Sequence, residues 1–169
     1  MSSEATRSVL PGVESDEFRR ACGRFATGVA IASVMDDTGA AHGLTVSSFT
    51  SVSLEPPLVL ICLGHAVTMI EAFRKASYFG ISILREEDRQ VSNHFATKGH
   101  DRFNGVGWRP GKTGVPLIDC ALAAFECETY QRFTSGDHDI LVGRVVHTHI
   151  EDGPPLVFFS SHYCTLALD

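Results

Sequence analysis

Apolar segments of strand length recur along this chain, and most of them are separated by short polar turns rich in Gly, Asp and Pro. Such segments cover residues 29–35, 58–63, 78–84, 121–133, 140–150 and 156–163. Strands joined by short turns pair in the antiparallel sense, whereas parallel strands need a long crossover between them. The pattern therefore predicts a mainly β fold, an antiparallel barrel with a few peripheral helices, rather than a doubly wound sheet.

Three segments, residues 15–25, 68–75 and 85–95, have helical character. In the first, Phe18, Ala21, Cys22 and Phe25 form an apolar stripe at helical spacing. We expect a flexible N-terminal arm over residues 1–14 and one domain over residues 15–169, a length that suits a single core. The Gly-, Lys- and Pro-rich stretch 97–117 is predicted to form a long loop or flap.

Composition excludes several classes of protein. The net charge of -6 argues against nucleic acid as a partner, because binding to phosphates needs a concentrated basic surface. The apolar runs are too short to span a membrane, and the first residues lack the apolar core of a secretory signal. The five cysteines include no Cys-x-x-Cys pair, so we expect reduced, mostly buried thiols in a cytoplasmic protein.

The stretch from Thr45 to Ser53 carries hydroxyl groups on six of its nine side chains and precedes a dense apolar run. A half-exposed strand would place hydroxyls on one face only, yet Ser47 and Ser48 are neighbours, as are Thr50 and Ser51. We expect the backbone to leave regular pairing here and to turn N–H groups toward a polar ligand. Ordinary polar residues of a half-exposed strand remain the alternative.

Histidines offer a second set of candidates. His147 and His149 lie two apart in a predicted strand and share one face, although no carboxylate or cysteine at a suitable spacing completes a metal site. His138 follows Gly136 in a turn, where a functional histidine and an ordinary turn residue are equally compatible with the spacing. A metal-dependent hydrolase built on these three histidines is one alternative function.

Residues 105–113 end in Gly-Lys-Thr, as the phosphate-binding loops of nucleotide hydrolases do. Such a loop needs four residues between its first glycine and the Gly-Lys pair, and here Gly105 leaves five and Gly107 leaves three. Pro110 and Pro116 also argue against a following helix. We therefore expect no nucleotide-hydrolase loop.

Several short motifs occur in a defined order along residues 15–163. They are FRR (18–20), GRFATGV (23–29), GLTVSSFTSVS (43–53), PPL (56–58), FA (95–96), DRF (101–103), GVPL (114–117) and GDHDI (136–140). In this order they resemble the short-chain flavin reductases, which have the FMN-binding split-barrel fold. The resemblance implies an antiparallel split β-barrel that binds FMN or FAD.

The resemblance also assigns residues to the site. Thr45, Val46, Ser47 and Ser48 would lie along the isoalloxazine edge, with Ser51 nearer the ribityl phosphate. Cys62, Leu63 and Gly64 would form the opposite wall, and Thr68 would meet phosphate at a helix N-terminus. Phe95, Ala96, Arg102 and Phe103 would close the pocket. His138 and Tyr163 would contact the nicotinamide nucleotide.

The implied activity is hydride transfer from NADH or NADPH to flavin, with no catalytic residue and no metal of the protein's own. A homodimer that supplies reduced flavin to a partner monooxygenase is the expected organisation. The segment 64–67 (Gly-His-Ala-Val) departs from the polar Asn-Arg-Ser type of the family, and Ser82 stands where Asn is common. Residues 160–163 also lack the family's Arg, so the choice between FMN and FAD stays open. A flavin carrier or sensor without nicotinamide turnover is the alternative in the same fold.

Overall fold

Strands are the main regular structure in the computed structural model, which describes residues 12–99, 101–119 and 121–167. The helices are α1 (Ser15–Cys22), α2 (Ile70–Lys75) and α3 (Arg89–Ala96), the last preceded by a 3-10 turn (Glu86–Asp88). The strands are β1 (Thr27–Gly28), β2 (Ala30–Met35), β3 (Ala41–Val46), β4 (Thr50–Leu54), β5 (Pro57–Gly64), β6 (Tyr78–Ile83), β7 (Trp108–Pro110), β8 (Pro116–Ile118), β9 (Ala123–Ser135), β10 (His138–Ile150), β11 (Val157–Phe159) and β12 (His162–Cys164). No helix in the described ranges has the length and apolarity needed to cross a membrane.

Seven strands form one antiparallel sheet in the order β3-β2-β6-β9-β10-β5-β4. Its two edges, β3 and β4, are consecutive in the chain and only residues 47–49 lie between them. This short link forces the sheet to curl until its edges meet, which closes a barrel with a split between β3 and β4. The predicted antiparallel split barrel with peripheral helices is confirmed.

The interior of the barrel is filled by side chains that alternate along the strands. Along β5, Val59, Ile61 and Leu63 are buried, whereas the residues between them are partly exposed. The dense apolar run at 58–63 is therefore half-buried rather than a fully buried strand. Helix α2 covers the core with Ile70 and Phe73.

Several predicted boundaries change in the structure. The β9–β10 hairpin turns on two residues, Gly136 and Asp137, because Gly136 adopts a φ of +62° that suits a tight hairpin. His138 therefore begins strand β10 instead of sitting within a six-residue turn. The predicted single strand over residues 156–163 is wrong, since Ser160 and Ser161 both adopt positive φ and reverse the chain between β11 and β12.

The N-terminal helix does not bury its apolar stripe. Helix α1 contains no buried residue, and Phe25, which lies beyond its end, is 78% exposed. Residues 1–11 of the predicted flexible arm lie outside the described residues. Cys127 is buried, whereas Cys22 is exposed and Cys62 and Cys164 are partly exposed, so the prediction of mostly buried thiols is wrong for the described cysteines.

The Gly-Lys-Thr segment within the predicted flap binds a carboxylate of this same chain. It joins β7 to β8, and the N–H groups of Lys112 and Thr113 donate to Glu126 at 2.9 and 2.6 Å. Burial would raise the pKa of Glu126, but the hydrogen bonds from Thr113 and Lys112 outweigh it and lower that pKa. A strand follows the segment, and no helix does, as expected from Pro110 and Pro116.

Gly143, at a register shift in β10, tests the packing of the core. A methyl group at this position would lie 2.4 Å from the Phe79 ring and 2.7 Å from Cβ of Cys127. Gly143→Ala should lower the free energy of unfolding by about 1–3 kcal/mol, measured by urea denaturation. Gly28→Ala, which meets no atom within 4 Å, is the matched control. Equal stability of the two variants would contradict this packing.

Candidate functional site

The hydroxyl-rich stretch crosses the split of the barrel. Residues 47–49 leave β3 and enter β4, and the hydroxyl of Ser48 holds them against β5. The Cys62 N–H donates to Oγ of Ser48 at 2.9 Å, and the Ser48 hydroxyl donates to the Cys62 carbonyl at 3.2 Å. One serine thereby replaces the strand partner that β5 lacks at this point.

The backbone of this crossing is left with free donors. The N–H groups of Ser47, Ser48 and Phe49 form no hydrogen bond with any residue in the described ranges. A cavity beside the crossing is lined by the exposed Phe25 together with Ser47 and Phe49. As the sequence predicts, the backbone leaves regular pairing at residues 47–49, and its donors are available to a polar group. The same prediction is wrong for Thr50 and Ser51 of β4, which pair with Leu60 and Val59 of β5.

Helix α3 packs against strand β3 and fixes the position from which β3 leads into the crossing at residues 47–49. The Thr45 hydroxyl donates to the carbonyl of Ser92 at 2.6 Å, which ties β3 to the helix. Phe95 is buried and meets Phe103 edge-on at 5.0 Å. Any side chain at Gly43 would collide with this pair, since a methyl group there would lie 2.8 Å from the Phe95 ring. Glycine is therefore required where β3 passes these two rings.

A cavity of about 520 Å³ opens beside the first residues of β3. Arg102 projects into it and donates from Nη1 to the Gly43 carbonyl at 3.0 Å and to Sδ of Met69 at 3.2 Å. Thr68, His42 and Trp108 complete much of the lining. Burial lowers the pKa of Arg102, and no carboxylate in the described part of the chain lies within ion-pair distance of it.

Cationic and neutral donors line this cavity together with the Asp101 carboxylate, which accepts a hydrogen bond from the Phe103 N–H at 3.0 Å. His42 is held by Asp36, with Nε2 2.7 Å from Oδ2, and this hydrogen bond is the main cause that lowers the pKa of Asp36. With a guanidinium that has no carboxylate partner and a neighbouring threonine hydroxyl, the cavity suits an anionic group such as a phosphate.

His138 stands over the end of β5. It pairs in register with Gly64, and a methyl group at Gly64 would lie 3.4 Å from Nε2 of His138. Nδ1 of His138 is 2.7 Å from a carboxylate oxygen of Asp137, and this hydrogen bond is the largest cause that lowers the pKa of Asp137. Because an ionised carboxylate only accepts, Nδ1 carries the proton and Nε2 faces outward over Gly64.

Tyr163 is engaged with helix α3. Its hydroxyl lies 2.8 Å from Oγ of Ser92 and donates to Oδ1 of Asn93 at 2.9 Å. The guanidinium of Arg89 lies 5.1 Å from the centre of its ring. These contacts give Tyr163 a role in holding α3 against the C-terminal hairpin.

The structure brings the sequence-predicted residues together in three groups, Ser48 with Cys62, Gly64 with His138, and Thr68 with Arg102 and Phe103. Four of them are side chains of the core, namely Val46, Leu63, Phe95 and Phe103. Three more are exposed at the surface, namely Ser47, Ser51 and Ala96. Phe103 lines the cavity from within the core.

The three histidines of the metal alternative do not meet. His138 and His147 lie on the same strand nine positions apart, which is about 30 Å of extended chain. Within the described ranges, no three side chains of His, Cys, Asp and Glu come close enough to hold a metal ion. A hydrolase that uses His138 together with His147 and His149 is therefore excluded by the length of β10.

Residues 22–167 match the flavin reductase like domain family. This chain belongs to the flavin reductase family. The match covers most of the sequence and includes every site residue assigned above.

Two flavin reductase proteins are similar in sequence to most of this chain. It is 39% identical over 170 residues to a Rhodococcus NADH-dependent flavin reductase, covering 98% of this chain and 94% of that protein. It is 43% identical over 129 residues to the reductase component of an Acinetobacter baylyi flavin-dependent trigonelline monooxygenase, covering 76% of this chain but only 42% of that longer protein.

A solved flavin reductase structure has the same fold. It is the Streptomyces globisporus C-1027 NADH:FAD oxidoreductase in complex with NAD and FAD fragments. The TM-score is 0.87 at 35% sequence identity, over 91% of this chain and 93% of that one.

Sequence reasoning about this flavin reductase missed His42, Met69 and Trp108 of the cavity lining. The pair His42–Asp36 could have been predicted from the sequence. The turn at residues 37–39 sets the β2–β3 register and brings Asp36 diagonally across from His42. Met69 carries no comparable signal, since its contact with Arg102 joins distant segments. Trp108 is placed by packing on Phe103 and by pairing with Ile118.

Proposed function

We propose that this chain is an NADH- or NADPH-dependent flavin reductase that reduces FMN or FAD. The main observation in support is that the two predicted walls of the flavin site, residues 45–48 and residues 62–64, lie next to each other. Ser48 of the crossing is hydrogen-bonded to Cys62 of β5, and His138 stands over Gly64, two residues further along the same strand. A flavin on the crossing and a nicotinamide beside His138 would therefore share one surface.

The residues present suit a flavin. Its ring system has carbonyl and nitrogen acceptors along one edge, which match the free N–H groups of residues 47–49. The side chain of FMN ends in a phosphate and that of FAD continues through a pyrophosphate, and either anionic group matches Arg102 and Thr68 in the neighbouring cavity. When bound, the flavin and the nicotinamide supply the redox chemistry, with hydride passing from nicotinamide C4 to flavin N5.

The chain's own residues then bind and orient. Backbone donors at the crossing stabilise the negative charge that reduction builds on the ring edge. Asp137 fixes the imidazole of His138 so that Nε2 is presented over Gly64, where a side chain would crowd it. No acid–base pair is required of the protein for this reaction, which agrees with the lack of an assigned catalytic residue.

We expect the purified protein to bind FMN or FAD and to oxidise NADH with flavin as acceptor. Titration of the protein with each flavin, followed by anaerobic addition of each nicotinamide, measures both properties. Bleaching of bound flavin by NADH or NADPH separates a reductase from the carrier or sensor alternative. Failure to bind either flavin at tens of micromolar, roughly the weakest affinity useful to an enzyme that releases its flavin, would contradict the proposal.

Ser48 and His138 should differ in which ligand they affect. Ser48→Ala removes the hydroxyl that fixes the crossing and should weaken flavin binding first. His138→Ala should raise the Michaelis constant for NADH by about five- to tenfold and leave flavin affinity nearly unchanged. If the two variants behave alike in flavin titrations and steady-state kinetics, the assigned division between flavin and nicotinamide contacts is wrong.

A homodimer is part of the proposal. Strand β4 is an exposed edge strand, and its Leu54 is 90% exposed, close in sequence to the crossing. Phe25 and Phe49 line an open groove beside Ser47. A second copy of the chain would bury these apolar groups next to the flavin.

Light scattering should therefore give twice the 18.3 kDa mass of one chain. Leu54→Asp should shift the protein toward monomer because it places a charge on the apolar edge, whereas Ile150→Asp, at the far end of β10, should not. A monomeric wild-type protein with full flavin affinity would refute the dimer.

Reduced flavin needs an acceptor reaction. We infer that a flavin-dependent monooxygenase receives it, and the support is the relative that is the reductase component of such an enzyme. A cytoplasmic location fits the free thiols of the four described cysteines, which a reducing compartment preserves.

A further inference from the structure

We propose that Asp139 is a positioning residue. It holds His138, the proposed nicotinamide contact, in a fixed position relative to the segment with Thr68 that lines the cavity proposed for phosphate. The inference rests on the proposed flavin reductase function. Asp139 follows His138 in β10, and its side chain points to the opposite face of the strand. Asp139 belongs to the GDHDI motif at 136–140, in which only His138 was given a role, and it does not line the cavity of Arg102 and Thr68.

The carboxylate of Asp139 is a buried junction between three elements. The side chain is 12% exposed, and it receives three hydrogen bonds. Nε2 of His65 lies 2.9 Å from Oδ1, the Thr134 hydroxyl donates to Oδ1 at 3.0 Å, and Nε of Arg74 donates to Oδ2 at 2.7 Å. These partners lie in the segment after β5, in β9 and in α2.

Two of these partners flank the chain segment that lines the cavity of Arg102, where we propose that phosphate binds. His65 begins the link between β5 and α2, Arg74 lies near the end of α2, and Thr68 and Met69 lie between them. The His65 N–H also donates to the Asp137 carbonyl at 2.9 Å. One carboxylate therefore fastens both ends of the cavity-lining segment to the hairpin that carries His138.

The charge of Asp139 matches its surroundings. The hydrogen bond from Arg74, followed by that from His65, holds the pKa of Asp139 well below its ordinary range. Arg74 is balanced further by Glu71, whose Oε1 accepts from Nη1 at 2.8 Å. An uncharged amide in place of the carboxylate would turn an N–H₂ group toward at least one of these donors.

Loss of an ion pair with only a structural role should leave the affinities for NADH and flavin unchanged. The β9–β10 hairpin contains such a pair for comparison. Arg144 of β10 donates from Nε to the carboxylate of Glu128 in β9 at 3.1 Å. That pair is nearly half exposed and contacts neither the cavity nor His138. Glu128→Gln is therefore the matched control for Asp139→Asn.

Asp139→Asn should raise the Michaelis constant for NADH and the flavin dissociation constant together, each by roughly three- to tenfold. The maximal rate at saturation of both ligands should stay within about twofold, because no group that touches the reacting atoms is removed. Glu128→Gln should leave both constants unchanged. Constants for Asp139→Asn that equal those of wild type, or a fall in maximal rate alone, would overturn the inference.

His65 provides a second test that does not depend on the stability of Asp139→Asn. The side-chain amide of Gln can donate to Asp139 as Nε2 of His65 does, whereas Ala cannot. His65→Gln should therefore recover most of the affinity for NADH and flavin that His65→Ala loses. Equal constants for the two variants would contradict the proposal. If the wild-type protein itself does not oxidise NADH with flavin, the proposed function fails instead, which is a distinguishable result.

Discussion

The closure of the barrel across its split is the constraint on which the site depends. Strands β3 and β4 are opposite edges of one seven-stranded sheet, yet only residues 47–49 separate them in the chain. Such a short link cannot follow the ladder of either edge, so its N–H groups are left without strand partners. Ser48 stabilises the link by bonding both backbone groups of Cys62. A surface with free backbone donors is thus a direct result of how this barrel closes.

Ionised carboxylates organise other polar clusters of the protein. Asp36 holds His42, Asp137 holds His138, and Asp139 holds His65 together with Arg74. Each carboxylate fixes a cationic or neutral donor at the border of the cavity or beside Gly64. Arg102 differs because it is held by carbonyl and sulfur acceptors instead of a carboxylate.

The fold class and the position of the crossing could be predicted from the sequence because both depend on local pattern. Adjacent hydroxyls at Ser47 and Ser48 indicated that regular pairing stops there, and it does. The turn at Ser160–Ser161 could not be predicted, since serine has little intrinsic preference for positive φ and the packing of the hairpin imposes it. The roles of Leu63, which is a core residue, and of Asp139 depend on strand register and on contacts with α2, and neither follows from spacing alone.

A crystal structure of the protein soaked with FMN would test the binding of flavin at the crossing most directly. We expect the ring edge of the flavin to receive hydrogen bonds from the N–H groups of residues 47–49. We also expect the phosphate to lie within hydrogen-bonding distance of Arg102 in the cavity lined by Thr68. Flavin bound elsewhere, for example in the groove lined by Arg109 and His149, with the crossing still facing solvent, would contradict both expectations.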